Sequence, residues 1–148
     1  MFRNLIVAIS IVMFGVTAAA AESCQDVIDK RQAFMKRSAD QAKIGSSMIK
    51  GETPFDLGKV KEILATFAED AGALPTLFPE CSKTGEHVTA APTVWDNAAE
   101  FKAAIAKFQA DVKAAQDSVK DLDTLKAGFQ TIGQDCSSCH QTFRVRRS

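Results

Sequence analysis

Asp121-Leu122-Asp-Thr-Leu125-Lys-Ala-Gly-Phe129-Gln-Thr-Ile132-Gly-Gln-Asp-Cys136-Ser-Ser-Cys139-His140-Gln-Thr-Phe143-Arg144 is the stretch whose reading decides the fold. Leu122, Leu125, Phe129, Ile132, Cys136, Cys139 and Phe143 recur at steps of three and four, which is one face of an α-helix. The helix opens at Asp121 and continues past His140. A helix with such a stripe must bury it against others, and the rest of the chain supplies three partners.

Upstream, Ala98, Phe101, Ile105, Phe108, Val112 and Ala115 form the stripe of a helix that starts near Trp95. Before it lies an irregular connection from Thr76 to Thr93, rich in Pro, Gly, Thr and Ser. The spacing predicts another helix from about Asp56 to Leu74, burying Val60, Ile63, Leu64, Phe67, Ala71 and Leu74 and stopping at Pro75. A first helix runs from about Gln25 to Ile49, with two heptad rows, Ile28/Met35/Ala42/Ile49 and Val27/Phe34/Met48. No stretch alternates apolar and polar residues as a strand does. The alternating steps of three and four in the last two helices are the seam of a left-handed bundle. The expected fold class is therefore all-α, an antiparallel four-helix bundle connected up-down-up-down.

The 148-residue chain begins with Met1-Phe2-Arg3-Asn4 and an uncharged apolar run, Leu5 to Val16. That run is shorter than the roughly 20 residues a membrane span needs, and it leads into Ala18-Ala-Ala-Ala21. Residues 1–21 are expected to be a signal peptide, cleaved after Ala20 or Ala21; an uncleaved anchor is the alternative. Residues 22–148 are then one domain in an exported, periplasmic protein. Without Arg3, 17 basic residues face 18 acidic ones with no basic run, so nucleic acid is not an expected partner. The charged residues of the third helix, Lys102, Lys107, Asp111 and Lys113, read as its solvated face.

Export also constrains the four cysteines, because each then calls for a disulfide, a metal or a cofactor. Cys136-Ser-Ser-Cys139-His140 is a C-x-x-C-H haem-attachment signature. Two cysteines three apart present both sulfurs to the vinyl groups of a haem, and the adjacent histidine brings its imidazole under the iron. A thioredoxin-like pair would sit where a strand meets a helix. A zinc site would need a second close pair of ligands, and Cys24, Cys81 and His87 are dispersed. A disulfide within the motif would strain the helix. The expectation is one covalent haem c, held by Cys136 and Cys139 inside the bundle, with His140 as an axial ligand. Cys24 and Cys81 fall at one end of an up-down bundle, so they are expected to form a disulfide, free thiols being the alternative.

Further stretches carry a resemblance. Asp121-Leu-Asp-Thr-Leu-Lys126, Ile132-Gly133, the haem motif and Phe143-Arg144 resemble the C-terminal helix of the cytochrome c prime superfamily. So do Arg31-Gln32 with Met35-Lys36, Lys50-Gly51-Glu52-x-Pro54-Phe55-Asp56, Leu74-Pro75-x-Leu-Phe78-Pro79 and Pro92-x-Val-Trp95. Within that superfamily the chain is most similar to the low-spin, methionine-ligated c-556 type. The resemblance implies a four-helix bundle with one haem near one end, electron transfer in the periplasm, and Met35 as the second axial ligand. Levels along an antiparallel bundle allow Met35 and His140 to face each other across a haem. A methionine in a helical apolar row is also an ordinary core filler, and that alternative stays open.

Arg31 and Arg144 share helix faces with Met35 and His140, which makes them, with Gln32, candidates for contacts to haem propionates or the haem edge. Phe34, Trp95 and Phe143 read as haem-wall packing. The expected function is a monohaem electron carrier, not an enzyme, exchanging electrons with periplasmic or membrane-bound partner proteins. A five-coordinate cytochrome that binds nitric oxide or carbon monoxide is the alternative, with Met35 as a packed lid. A thiol-disulfide enzyme is the third reading. Relatives of the prime type pair through helices one and two, so a homodimer is a further expectation.

Overall fold

The computed structural model describes residues 23–145; the expected signal peptide lies outside the described residues. Four long helices, α1 (Cys24–Ile49), α2 (Leu57–Ala73), α4 (Ala98–Ser118) and α5 (Leu122–Phe143), are joined by short links and one longer connection that contains the single-turn helix α3 (Thr93–Asp96). Side chains starting two of these helices stop the chain from fraying. Ser23 and Asp26 form a reciprocal cap on α1, and Asp121 and Thr124 do the same on α5. Asp56 caps α2 through the Lys59 amide.

The helices form a closed ring in the order α1, α2, α4, α5. Gln109 and Gln116 of α4 donate to the carbonyls of Ala71 and Leu64 in α2, a pairing that descends along one helix as it ascends the other and fixes them as antiparallel. No helix among the described residues is long and apolar enough to cross a membrane.

The core is divided. One cluster joins Met48, Val60, Ile63, Leu64, Phe67, Val112, Ala115, Val119, Leu125 and Ile132. The other, at the opposite end of α4 and α5, joins Leu74, Val94, Phe101, Ile105 and Phe143. All six apolar positions expected to be buried on the second helix are buried.

On α1 the buried face follows the expected row Val27/Phe34/Met48, while in the other expected row Ile28 is buried but Met35 is exposed. Val27, Arg31, Gly45 and Met48 are buried, with Phe34, Ser38 and Gln41 half-buried between them, a single row at alternating steps of four and three. Met35 falls off this row. Two of its polar residues, Arg31 and Ser38, are satisfied by tertiary partners. Ser38 donates to Asp70 of α2 at 2.7 Å, and Arg37 bonds to the same carboxylate, which is almost fully buried. α1 and α5 approach closely at Gly45, since a Cβ there would stand 2.2 Å from Cζ of Phe129.

Two other expectations need correction. The third helix begins not at Trp95 but at Ala98, because the backbone breaks at Asn97 after the single turn of α3. Lys107 is only partly a solvated residue. Its ammonium lies between Asp111 and Asp135, and the latter is a buried carboxylate of α5.

Candidate haem-binding site

A cavity of about 440 Å³ opens beside the second cluster, whose Leu74, Phe101, Ile105 and Phe143 line it. α5 contributes Cys139, His140 and Phe143, α1 contributes Arg31, Gln32, Met35, Lys36 and Ala39, and α4 contributes Phe101 and Ile105. Leu74 and Phe78, after α2, and Thr89 and Ala90, before α3, close the remaining sides. The size and the mostly apolar lining are those of a pocket for a cofactor.

The register of the bundle explains why Met35 and the haem motif meet here. Gly45 lies against Phe129, and the up-down connection of the ring α1, α2, α4, α5 makes α1 and α5 antiparallel. Ten residues back from Gly45 is Met35, and ten residues on from Phe129 is Cys139. Each interval spans about 15 Å at 1.5 Å per residue. Met35 is therefore level with Cys139 and His140. Its side chain is 38% exposed and belongs to neither core cluster, so it is not the core filler that its apolar row permitted.

α5 ends just beyond His140. The segment before α3 pairs with the chain leaving α5: the Ala91 amide donates to the Phe143 carbonyl at 2.9 Å and the Val145 amide to the Thr89 carbonyl at 2.8 Å. Thr93 adds a bond to the Thr142 carbonyl at 2.6 Å. This latch holds the histidine end of α5 against the cavity rim.

Cys136 and Cys139 are free thiols, whereas Cys24 and Cys81 are joined by a disulfide. Cys139 lines the cavity half-buried, but Cys136, expected beside it on the core row, is exposed and outside the lining, because its neighbour Asp135 takes the buried position. Asp135 lies three residues after Ile132 and reaches Lys107 of α4, which leaves Cys136 on the outer side of the stripe. Surrounding protein pushes the Cys136 thiol up, with a further push from Asp135. Cys139 is raised for the same first reason, helped by Cys136 and Asp135. Desolvation and then the nearby Arg144 charge pull His140 below its ordinary value, leaving a neutral imidazole with a lone pair to donate.

Arg31 is 5% exposed and its guanidinium donates to the Leu77 carbonyl at 3.2 Å, the Ser82 hydroxyl at 2.9 Å and the Ser82 carbonyl at 3.2 Å. Gln32 donates to the His87 carbonyl at 2.7 Å. Both side chains line the cavity while serving the connection after α2. Arg144 and Lys36 lie at the lining without such buried bonds. Of the aromatic residues expected at the wall, only Phe143 lines it. Trp95 stands behind Phe78, its indole N–H on the Phe78 carbonyl at 3.0 Å, and Phe34 lies under Arg37. The wall is built by Phe78, Phe101 and Phe143, with ring centroids 4.7 and 5.1 Å apart. Phe101 was visible on its helical stripe. Phe78 belongs to no helix, and its one signal was the Leu74-to-Pro79 motif.

These residues fit a haem. Aromatic and aliphatic walls suit the macrocycle, cationic residues at the lining suit its two carboxylates, and thiols with a neutral imidazole occur together on α5.

Comparison with known proteins agrees. The sequence profile of the family described as Cytochrome C' matches residues 26–144. A cytochrome c' of Rhodopseudomonas palustris is 39% identical over 138 residues, 93% of each chain. A cytochrome c-556 of the same organism is 38% identical over 148 residues, 97% of each. Among solved structures, the Rhodopseudomonas palustris cytochrome c' superposes with a TM-score of 0.80 at 41% identity, covering 83% of this chain and 98% of that one. A structural model of oxidised cytochrome c556 from that organism gives 0.75 at 36% identity, covering 84% and 99%. The chain belongs to the cytochrome c' family, an all-α four-helix-bundle cytochrome with a covalently attached haem c.

Proposed function

We propose that the protein is an exported, periplasmic electron carrier whose haem is attached through Cys136 and Cys139 and whose iron is ligated by His140 and Met35. The observation that carries this reading is the position of Met35, level with the haem motif and directed to the cavity instead of the core. The haem supplies reversible one-electron chemistry. The chain supplies a neutral imidazole at His140, a soft thioether at Met35 and three aromatic walls that exclude water. Two side chains held on packed helices stay in place when the charge changes, which suits electron transfer better than catalysis. Redox partner proteins are the expected partners, and Arg144 and Lys36 are the cations best placed for the propionates.

A second reading has support of its own. A relative named cytochrome c' and one named cytochrome c-556 match this chain at 39% and 38% identity. In this reading the iron keeps an open face and binds nitric oxide or carbon monoxide. Met35→Leu separates the two, because leucine packs at similar volume but donates no lone pair, at a packing cost below about 1.5 kcal/mol. The electron-carrier reading expects the variant to become high-spin when reduced, to bind carbon monoxide readily and to lose potential. An unchanged spectrum moves the assignment to the gas binder.

A further inference from the structure

Met35 belongs to neither core cluster, so its distance from His140 is set by what holds the first turns of α1. That stretch is fastened to the connection after α2 at one position after another. Cys24 is bonded to Cys81. Gln25 accepts from the Glu86 amide at 3.0 Å and donates to its carbonyl at 3.4 Å. Ile28 packs so tightly on Gly85, at φ +151, that a Cβ there would lie 2.5 Å from Cδ1. Arg31 makes its three buried bonds to Leu77 and Ser82 and stands 5.0 Å above the Phe78 ring, and Gln32 reaches the His87 carbonyl. On its other side the connection is packed against α4 and α3 through Phe78 on Phe101 and Trp95. Residues 77–87 are thus a spacer between the methionine helix and the rest of the cavity.

We propose that the Cys24–Cys81 disulfide and the buried Arg31 are a two-point clamp that keeps Met35 on the iron, which makes Cys24, Cys81 and Arg31 positioning residues. This rests on the His140/Met35 reading. A single thioether competes poorly with an external ligand unless its helix is preorganised, since every excursion of α1 opens the sixth position. Cys24 ties down the helix end that would fray first, and Arg31 fixes the face one turn before Met35. The clamp therefore sets the fraction of time for which an external ligand finds the iron free.

The test uses the haem-loaded protein. Carbon monoxide association to the reduced protein is measured for wild type, Cys24→Ser/Cys81→Ser and Arg31→Lys, with hydrogen exchange over residues 24–35 followed in parallel. The clamp predicts association roughly tenfold faster in both variants, in proportion to the open fraction, and faster exchange confined to the start of α1. Val60→Ala, a cavity in the other core cluster, is expected to lower the Tm without altering association. If the cysteine variant does not mature, a phosphine applied to the folded wild-type protein cleaves the bond instead: the phosphine gives two electrons to the disulfide, and one water supplies the two protons of the resulting thiols and the oxygen of the phosphine oxide. A low-spin wild type whose variants exchange faster but bind carbon monoxide at the wild-type rate overturns the clamp alone. A wild type that is already high-spin overturns the His140/Met35 reading and the clamp with it.

Discussion

Gly45→Ala probes the helix register on which the site depends. Alanine in place of an interior helical glycine ordinarily stabilises by about 1 kcal/mol. At position 45 the added methyl would meet Cζ of Phe129 at 2.2 Å and Cε1 at 2.3 Å, where carbon atoms normally rest about 3.5–4.0 Å apart. The Phe129 ring packs against Phe67, with centroids 6.0 Å apart, and cannot retreat freely. Overpacking of this kind costs about 3 kcal/mol at the upper end of its usual range. The net loss is about 2 kcal/mol, or a fall of about 8 °C in Tm for a domain of this size. Gly72→Ala is the matched control, because nothing lies within 4 Å of a Cβ there, and it should leave the Tm unchanged or raise it. Thermal unfolding of the haem-loaded protein, followed by far-UV circular dichroism, compares the two. If Gly45→Ala is as stable as Gly72→Ala, α1 and α5 do not meet at Gly45 and Phe129, and the level shared by Met35 and Cys139 loses its basis.

Replacing Cys136 and Cys139 together by alanine should give a protein with no haem surviving denaturation, read by haem staining of a denaturing gel. The disulfide closes a sequence separation of 57 residues, which corresponds to about 4 kcal/mol on the chain-entropy model, so urea unfolding of Cys24→Ser/Cys81→Ser should show a loss of that order. Hydrogen bonds from the Thr124 hydroxyl and then its amide hold the Asp121 carboxyl below its ordinary 3.8. A lowered folded pKa contributes stability that is present above 3.8 and lost as pH falls through the lowered value. Asp121→Ala should therefore lower the Tm by a few degrees near neutral pH, with the difference from wild type shrinking below that range.

The bundle was legible where burial and periodicity coincide. On α2 every apolar position of the stripe is buried, whereas on α5 Leu125, Ile132 and Phe143 are buried but Leu122 and Cys136 of the same stripe are exposed. Legibility failed where polar groups are satisfied by distant partners. The buried row of α1 contains Arg31, whose acceptors lie some 50 residues away, and Ser38, which serves Asp70. Neither looks like core until the partner is in place, and Met35, spaced in one row with the buried Ile28 and the core-packed Ala42 and Ile49, is itself exposed. Lys107 misleads similarly, since its partner Asp135 is on another helix. The one-residue break at Asn97 escapes notice because the apolar spacing continues from α4 back toward Trp95. Phe78 was hidden for a different reason: an irregular connection has no period to reveal which side chains turn inward.

The most direct test of the account is the absorption spectrum of the purified native protein in both oxidation states, recorded before and after carbon monoxide is added to the reduced form. Ligation by His140 and Met35 predicts a low-spin spectrum in both states and slow, incomplete reaction with the gas. A high-spin spectrum with rapid, complete carbon monoxide binding would contradict it.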